Sequence, residues 1–319
     1  MKRMLHKVRF RTALRLLVVL VAVPASSQGA DDAVQITTHT KYTVSDYSPT
    51  WSPDGSEIAF YSNRDGHGRI WRVPATGGTP IQVSTAEAGE SVTWSDDGRI
   101  AFPELDLVTM DTSVSWVRPD GSDLTRVTTG AHVCCWQVAW APGSQDIAYV
   151  RDPSGNGIFR TAASGSGTDP IPLTFHHDWG PTWSPDGSRV AFWRNFGWND
   201  IHVVDAGGGT AVPLWSDSFF NSDPAWHPEH DVIAFSSARG EGAANIWTYK
   251  LLDGTFTRIT DDPGGAWGPS WSPDGRQLAF VSIRSGNQRI WVIDVPETAV
   301  SVGRSTWGSI KSAYRSKRR

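Results

Sequence analysis

The stretch that decides the fold is "PTWSPDGS", residues 49–56, which recurs letter for letter at residues 181–188. The copies lie 132 residues apart, three times 44, so two more units should fit between them. Stepping from Trp51 reaches Trp94, Trp140, Trp183, Trp226 and Trp271, at spacings of 43, 46, 43, 43 and 45 residues. The intervening slots hold worn copies: "TWSDDG" at 93, "AWAPGS" at 139, "AWHPEH" at 225 and "SWSPDG" at 270. A second phrase follows in every unit: "IAF" at 58, 100 and 233, "IAY" at 147, "VAF" at 190 and "LAF" at 278. A third pairs an aliphatic or small residue with a ring, as in "IW" at 70, 246 and 290. A fourth closes the unit, as in "IQVS" at 81 and "TRIT" at 257.

Short runs rich in Trp, Ile, Val, Phe and Thr, bounded by Pro, Gly and Asp, are strands. "SPDG" is hairpin chemistry, in which Pro presets φ, Asp bonds back to the backbone and Gly takes the left-handed conformation. Strand A therefore ends at the key Trp and strand B begins near Ile58, Val190 or Leu278. The Ala of each "IAF" leaves room where neighbouring sheets press together, and the residues flanking it supply buried area. Four short strands per unit of about 44 residues are the blade of a β-propeller. The expected fold is thus all-β: a six-bladed β-propeller of four-stranded antiparallel blades. Unit six stops after its third strand, "RIWVIDV", and the missing phrase lies at the other end as "VQIT", Val34 to Thr37. The N-terminal strand should complete blade six and close the ring.

The ends differ from the body. Residues 1–30 carry six basic residues and no acid, then the apolar run Leu16 to Val23, Pro24 and small residues to Ala30. That is the layout of a secretory signal peptide, with an apolar core too short to span a bilayer. The expected organisation is a signal peptide at 1–30, a propeller at 31–300 and a basic flexible tail at 301–319, in a protein exported to the periplasm or the exterior. No integral membrane segment is expected after signal removal, and the propeller should be monomeric. The body, 31–300, holds 17 basic and 33 acidic residues, a formal charge of −16. Such a surface repels phosphates and excludes nucleic acid as a partner.

"PTWSPDGSEIAFYSNRDG", followed by "IWRVPATGG", resembles the TolB-type (WD40-like) propeller repeat. The resemblance is to the propeller domain of periplasmic TolB proteins, without their N-terminal α/β domain, and it covers nearly all of 34–296. Related repeats form propeller domains of some peptidases and of oligogalacturonate lyase. The resemblance implies fold more than function, because one fold hosts many roles.

Catalytic signatures are absent: there is no G-x-S-x-G, H-E-x-x-H, phosphate loop or C-x-x-C. Cys134 and Cys135 are adjacent, and the sequence ranks neither a disulfide nor buried thiols. With strand A innermost, the D–A and B–C loops share one face, and the "PDG" and C–D turns share the other. The residues four before each key Trp, where strand A leaves its D–A loop, are Tyr47, Glu90, Trp136, Trp179, Ser222 and Trp267. Four of the six are aromatic, and Asp46, Asp178, Asn221 and Asp223 adjoin them. Rings beside carboxylates suit a peptide segment or a sugar, with cationic groups favoured. The expected ligand-binding set is Tyr47, Glu90, Trp136, Trp179, Asp178, Asp223 and Trp267. The alternative reading of the same rings is that they plug the channel as core.

Histidines His39, His132, His176 and His177 lie in D–A loops and are candidates for a divalent metal, which the lyase resemblance makes thinkable. They are read instead as solvated side chains, with no cofactor expected. Arg64, Arg151, Arg194, Arg239 and Arg284 follow strand B in five blades; pairing with carboxylates of the same or next blade accounts for them. The functional expectation is a binding module for a protein or peptide at the channel mouth rather than an enzyme. The alternative is a glycan-binding or glycan-cleaving propeller resembling oligogalacturonate lyase.

Overall fold

A computed structural model describes residues 32–39, 41–128, 135–151, 157–165, 170–196, 198–240 and 242–300. The expected signal peptide and basic tail lie outside the described residues.

Twenty-four strands form six four-stranded antiparallel sheets, one for each sequence unit. From the axis outward, blade one is Asp46–Trp51, Glu57–Ser62, Arg69–Pro74 and Ile81–Gln82. Blade two is Thr93–Trp94, Ile100–Leu105, Thr112–Val117 and Thr125–Arg126. Blade three follows with Cys135–Trp140, Asp146–Arg151, Ile158–Ala162 and Ile171–Pro172. Blade four is Asp178–Trp183, Arg189–Phe196, Trp198–Asp205 and Val212–Pro213. Asn221–Trp226, Val232–Ser237, Asn245–Lys250 and Phe256–Arg258 make blade five. Blade six takes three strands from the C-terminal side, Ala266–Trp271, Gln277–Ser282 and Arg289–Asp294.

Its fourth strand is Val34–Gln35, in register Val34 to Val292 and Gln35 to Trp291. The amide of Ile36 donates to the carbonyl of Ile290 at 2.8 Å, extending the latch. The ring is closed by the N-terminal strand, as the missing phrase required. Consecutive innermost strands touch all the way round, including blade one against blade six.

The repeated turn does what its letters dictate. Ser52 Oγ donates to Asp54 Oδ1 at 2.6 Å and accepts the Glu57 amide at 2.9 Å. The Ser184–Asp186 and Ser272–Asp274 pairs repeat that bond at 2.6 Å. Gly187 stands at φ 67°, the left-handed region where a side chain would be strained.

The core is six seams rather than one centre. At each seam the large residues of "IAF" in one blade meet the Ala of the blade before it: Ile100 and Phe102 meet Ala59, and Val190 and Phe192 meet Ala148. All six of these Ala are fully buried. A small side chain on one face and two large ones on the other let ~10 Å-spaced sheets interlock in one rotational sense. In three of the six blades the key Trp staples neighbouring blades together. Trp51 Nε1 donates to the Ser270 carbonyl, Trp183 Nε1 to that of Ala139 and Trp271 Nε1 to that of Ala225, each at 3.1 Å. Four of the five arginines after strand B pair with carboxylates: Arg64 binds Asp46 at 2.8 Å, Arg194 Asp178 at 2.6 Å, Arg239 Asp217 at 2.8 Å and Arg284 Asp262 at 2.8 Å, while Arg151 lies over the Phe159 ring at 5.2 Å.

Candidate functional site

Strand A does not run straight to the channel mouth. In blades one, four, five and six its register with strand B shifts between the residue four before the Trp and the residue one before it. A proline (Pro49, Pro181, Pro224, Pro269) sits within each shift, where its missing N–H takes nothing from the ladder. The preceding residue is left-handed: Ser48 at φ 49°, Gly180 at 60°, Asp223 at 50° and Gly268 at 62°. From those prolines onward the six innermost strands line an axial cavity of about 440 Å³, narrowed by Pro, Thr and Trp side chains. The bulged residues and those just before them form its mouth.

Around that mouth, Tyr47 is half-buried beside Tyr61, ring centres 6.1 Å apart. Trp179 is half-buried and stacked on Trp193 at 6.0 Å, and Trp193 continues to Phe220 at 6.3 Å. This aromatic row passes over Gly180, where a Cβ would come within 3.0 Å of the Trp193 ring. Trp267 packs on the seam between blades six and one. Trp136 is the most open of the four, 51% exposed. Glu90 is exposed. Asp223 accepts bonds from Ser222 Oγ at 2.8 Å and Ser236 Oγ at 3.0 Å, and burial pushes its carboxyl above the ordinary carboxylate value. Asp178 is buried and held by both oxygens on Arg194, at 2.6 and 2.8 Å.

The histidines are dispersed. His39 Nδ1 lies 3.1 Å from the Lys41 carbonyl and its Nε2 3.6 Å from Asp46, and burial keeps its pKa below the ordinary imidazole value. His176 and His177 are exposed. His132 and Cys134 lie outside the described residues, while Cys135 is buried in the seam between blades two and three. Among the described residues no three His, Cys, Asp or Glu side chains gather where one ion could sit.

Three of the expected residues, Glu90, Trp136 and Trp179, meet in one pocket of about 520 Å³ beside the mouth. Leu105 and Met110, which the blade repeat did not flag, line it too, with Gly89, Thr112, Cys135 and Gln137 completing the wall. Blade two departs from its siblings here. Its innermost strand is only Thr93–Trp94, and the chain before it pairs instead with the far end of the second strand, Gly89 amide to Pro103 carbonyl at 2.7 Å and Leu105 amide to Glu87 carbonyl at 2.9 Å. The B–C turn that follows is locked on Asp106, whose carboxylate accepts the Val108 amide at 2.8 Å and the Thr109 amide at 3.2 Å. Met110, at φ 60°, is swung out to 65% exposure. The signal was present in the sequence as "LDLVTM", 105–110, where blade one has the polar "NRDGHG".

Comparison with known proteins agrees with this architecture. A TolB β-propeller domain model matches residues 220–316. The chain is 41% identical over 56 residues to a protein named TolB homolog from Chlorobium luteolum, a match spanning 17% of this chain and 13% of that relative's length. Among solved structures, TolB from Acinetobacter baumannii superposes with a TM-score of 0.56 at 16% identity, covering 79% of this chain and 63% of that one. An oligogalacturonate lyase from Vibrio parahaemolyticus reaches 0.58 at 11% identity, over 85% of this chain and 100% of that one. At such identities the superpositions speak for fold alone. Six blades of four strands and the repeated Trp and hairpin phrases are those of a TolB-type β-propeller repeat, which the family model matches over residues 220–316.

Proposed function

We propose that this propeller is a binding module that docks a protein or peptide on the face formed by its D–A and B–C loops, and that it does so outside the cytoplasm. One observation carries the reading. Fourteen large apolar side chains are exposed among the described residues, and nine of them lie on that face: Tyr42, Leu107, Val108, Met110, Trp136, Phe175, Phe219, Phe220 and Ile283. Only Leu124 and Leu252 lie on the opposite face, and Val34, Ile81 and Ile171 sit on outer strands. Apolar side chains gathered on one end of a molecule mark an interaction surface. The opposite end carries the "PDG" turns, where the Ser52 hydroxyl and the Ser56 amide and hydroxyl hold the Asp54 carboxyl down at about 2, charged at any working pH.

The relatives named TolB support a protein partner, and export is supported by the signal-like leader. A second reading, stacking of a neutral glycan on Trp136, is favoured by that half-open indole. A polyuronide fits less well, since the exposed Glu90 would oppose its carboxylates. The test is photo-crosslinking in the producing cell, with a photoreactive residue at Val108, Phe175 or Phe220, and at Leu124 or Leu252 as controls. Discrete protein adducts from the first group alone are expected. Adducts from both groups alike, or from the controls only, would refute the proposed face.

A further inference from the structure

We infer that the pocket between blades two and three takes an extended segment of the partner in which an aliphatic or aromatic side chain is flanked by a Lys or Arg. The inference rests on the docking face proposed above and names what one part of it recognises. Leu105, Met110, Trp136 and Trp179 make the walls, so the inserted group is apolar. At about 520 Å³ the pocket holds a side chain together with its neighbouring backbone, within the range of ligand sites generally.

The rim decides the charge. Glu90 lines the pocket and is exposed; Asp106, outside the lining, sits at the base of the turn that carries Met110. The amides of Val108 and Thr109 hold the Asp106 carboxyl below its ordinary value, which keeps it ionised. A body of formal charge −16 adds an attractive field for a basic segment and a repulsive one for an acidic segment. The pocket is also built before any partner arrives. Thr112 Oγ1 donates to the Cys135 carbonyl at 2.9 Å, tying blade two to blade three across the pocket floor. The Met110 amide donates to the Asp106 carbonyl at 2.8 Å, fixing the lip. Preformed apolar walls with a charged rim select by side chain and by neighbour together.

The test uses the full mature chain, immobilised, and a random twelve-residue peptide library displayed on phage. Enriched peptides should share an apolar residue within two positions of Lys or Arg. Synthetic versions should lose about 30-fold in affinity to Trp136→Ala, the scale of an aromatic hot spot. Glu90→Gln should weaken the basic peptides several-fold and leave variants with Lys replaced by Ala unaffected. Met110→Ser gives a third reading at a side chain too exposed to matter for folding. Enriched peptides that ignore Trp136→Ala and Met110→Ser but are lost with Asp223→Asn or Trp267→Ala would overturn this pocket and leave the docking face standing. Enrichment of acidic peptides would overturn the charge assignment, and enrichment of none would overturn both pocket and face.

Discussion

Replacing Trp183 and Trp136 by Ala, one at a time, separates the fold's own tryptophans from those of the site. Trp183 is buried in the seam between blades three and four, and its Nε1 donates to the Ala139 carbonyl at 3.1 Å. Removing it takes away a large buried ring, about 3–5 kcal/mol for a Trp-to-Ala change in a core. Losing the inter-blade hydrogen bond adds about 1 kcal/mol. The sum, on the order of 5 kcal/mol, is a large part of the 5–15 kcal/mol that typical domains possess. Trp136 is 51% exposed, so Ala there should stay near or below about 1 kcal/mol, the usual scale for surface changes. Trp179 falls between, because its stack on Trp193 contributes about 0.5–1.5 kcal/mol beyond area burial. Guanidinium unfolding followed by far-ultraviolet circular dichroism is the assay, since seventeen tryptophans blur a fluorescence signal. Equal midpoint losses for Trp136→Ala and Trp183→Ala would refute the reasoning, because Trp136 would then be core.

Three further outcomes are expected. His227 takes the place of the hairpin Ser in blade five; burial, with His230 beside it, lowers its pKa to about 4. Its Nδ1 faces the amides of Glu229 and His230, both at 3.1 Å, and its Nε2 faces the Gly275 carbonyl at 3.2 Å. The neutral ring satisfies all three contacts. The unfolded chain therefore binds the proton more tightly, so stability is full above about 6.5 and falls, by on the order of 3 kcal/mol, as pH drops towards about 4. His227→Ser should flatten that slope in melting temperature against pH; an unchanged slope would assign it to other groups. Burial also lowers His202 to about 4, while Asp223, raised, acts in the opposite sense, so the comparison is variant against wild type. Ala191→Leu, at a fully buried site facing Leu214, Trp215 and Phe235, should destabilise by about 1–3 kcal/mol through overpacking, read by urea midpoint. Deleting residues 31–41 should lower the melting temperature sharply while trimming 304–319 should not; equal values would contradict closure through Val34–Gln35.

The blades, their count and the closing strand were legible because each rests on local chemistry repeated six times. "SPDG" specifies its hairpin from its own four residues, and "IAF" alternates small and large at period two. The seams follow from that alternation, since a residue's face is fixed by its parity along a strand. The positions four before each Trp were legible for the same reason, as places where the repeat stops constraining the side chain. What those side chains then do was not legible. Asp178 reads as a free carboxylate beside a ring, yet it is buried on Arg194, sixteen residues away in sequence. Tyr47, Trp179 and Trp267 read like Trp136, yet they lean on partners supplied by the next strand or the next blade.

The sequence by itself determined a closed ring of six sheets, because periodic residues set local conformation and burial without reference to distant chain. Only the tertiary structure decided which aromatic ring stays open and where a pocket forms. The Leu105–Met110 turn becomes a wall only when blade three brings Trp136 and blade four brings Trp179 against it. Trp136 and Trp179 stand at repeat positions on their strands, but the turn they meet does not repeat, and residues that do not repeat carry no period from which their place could be read.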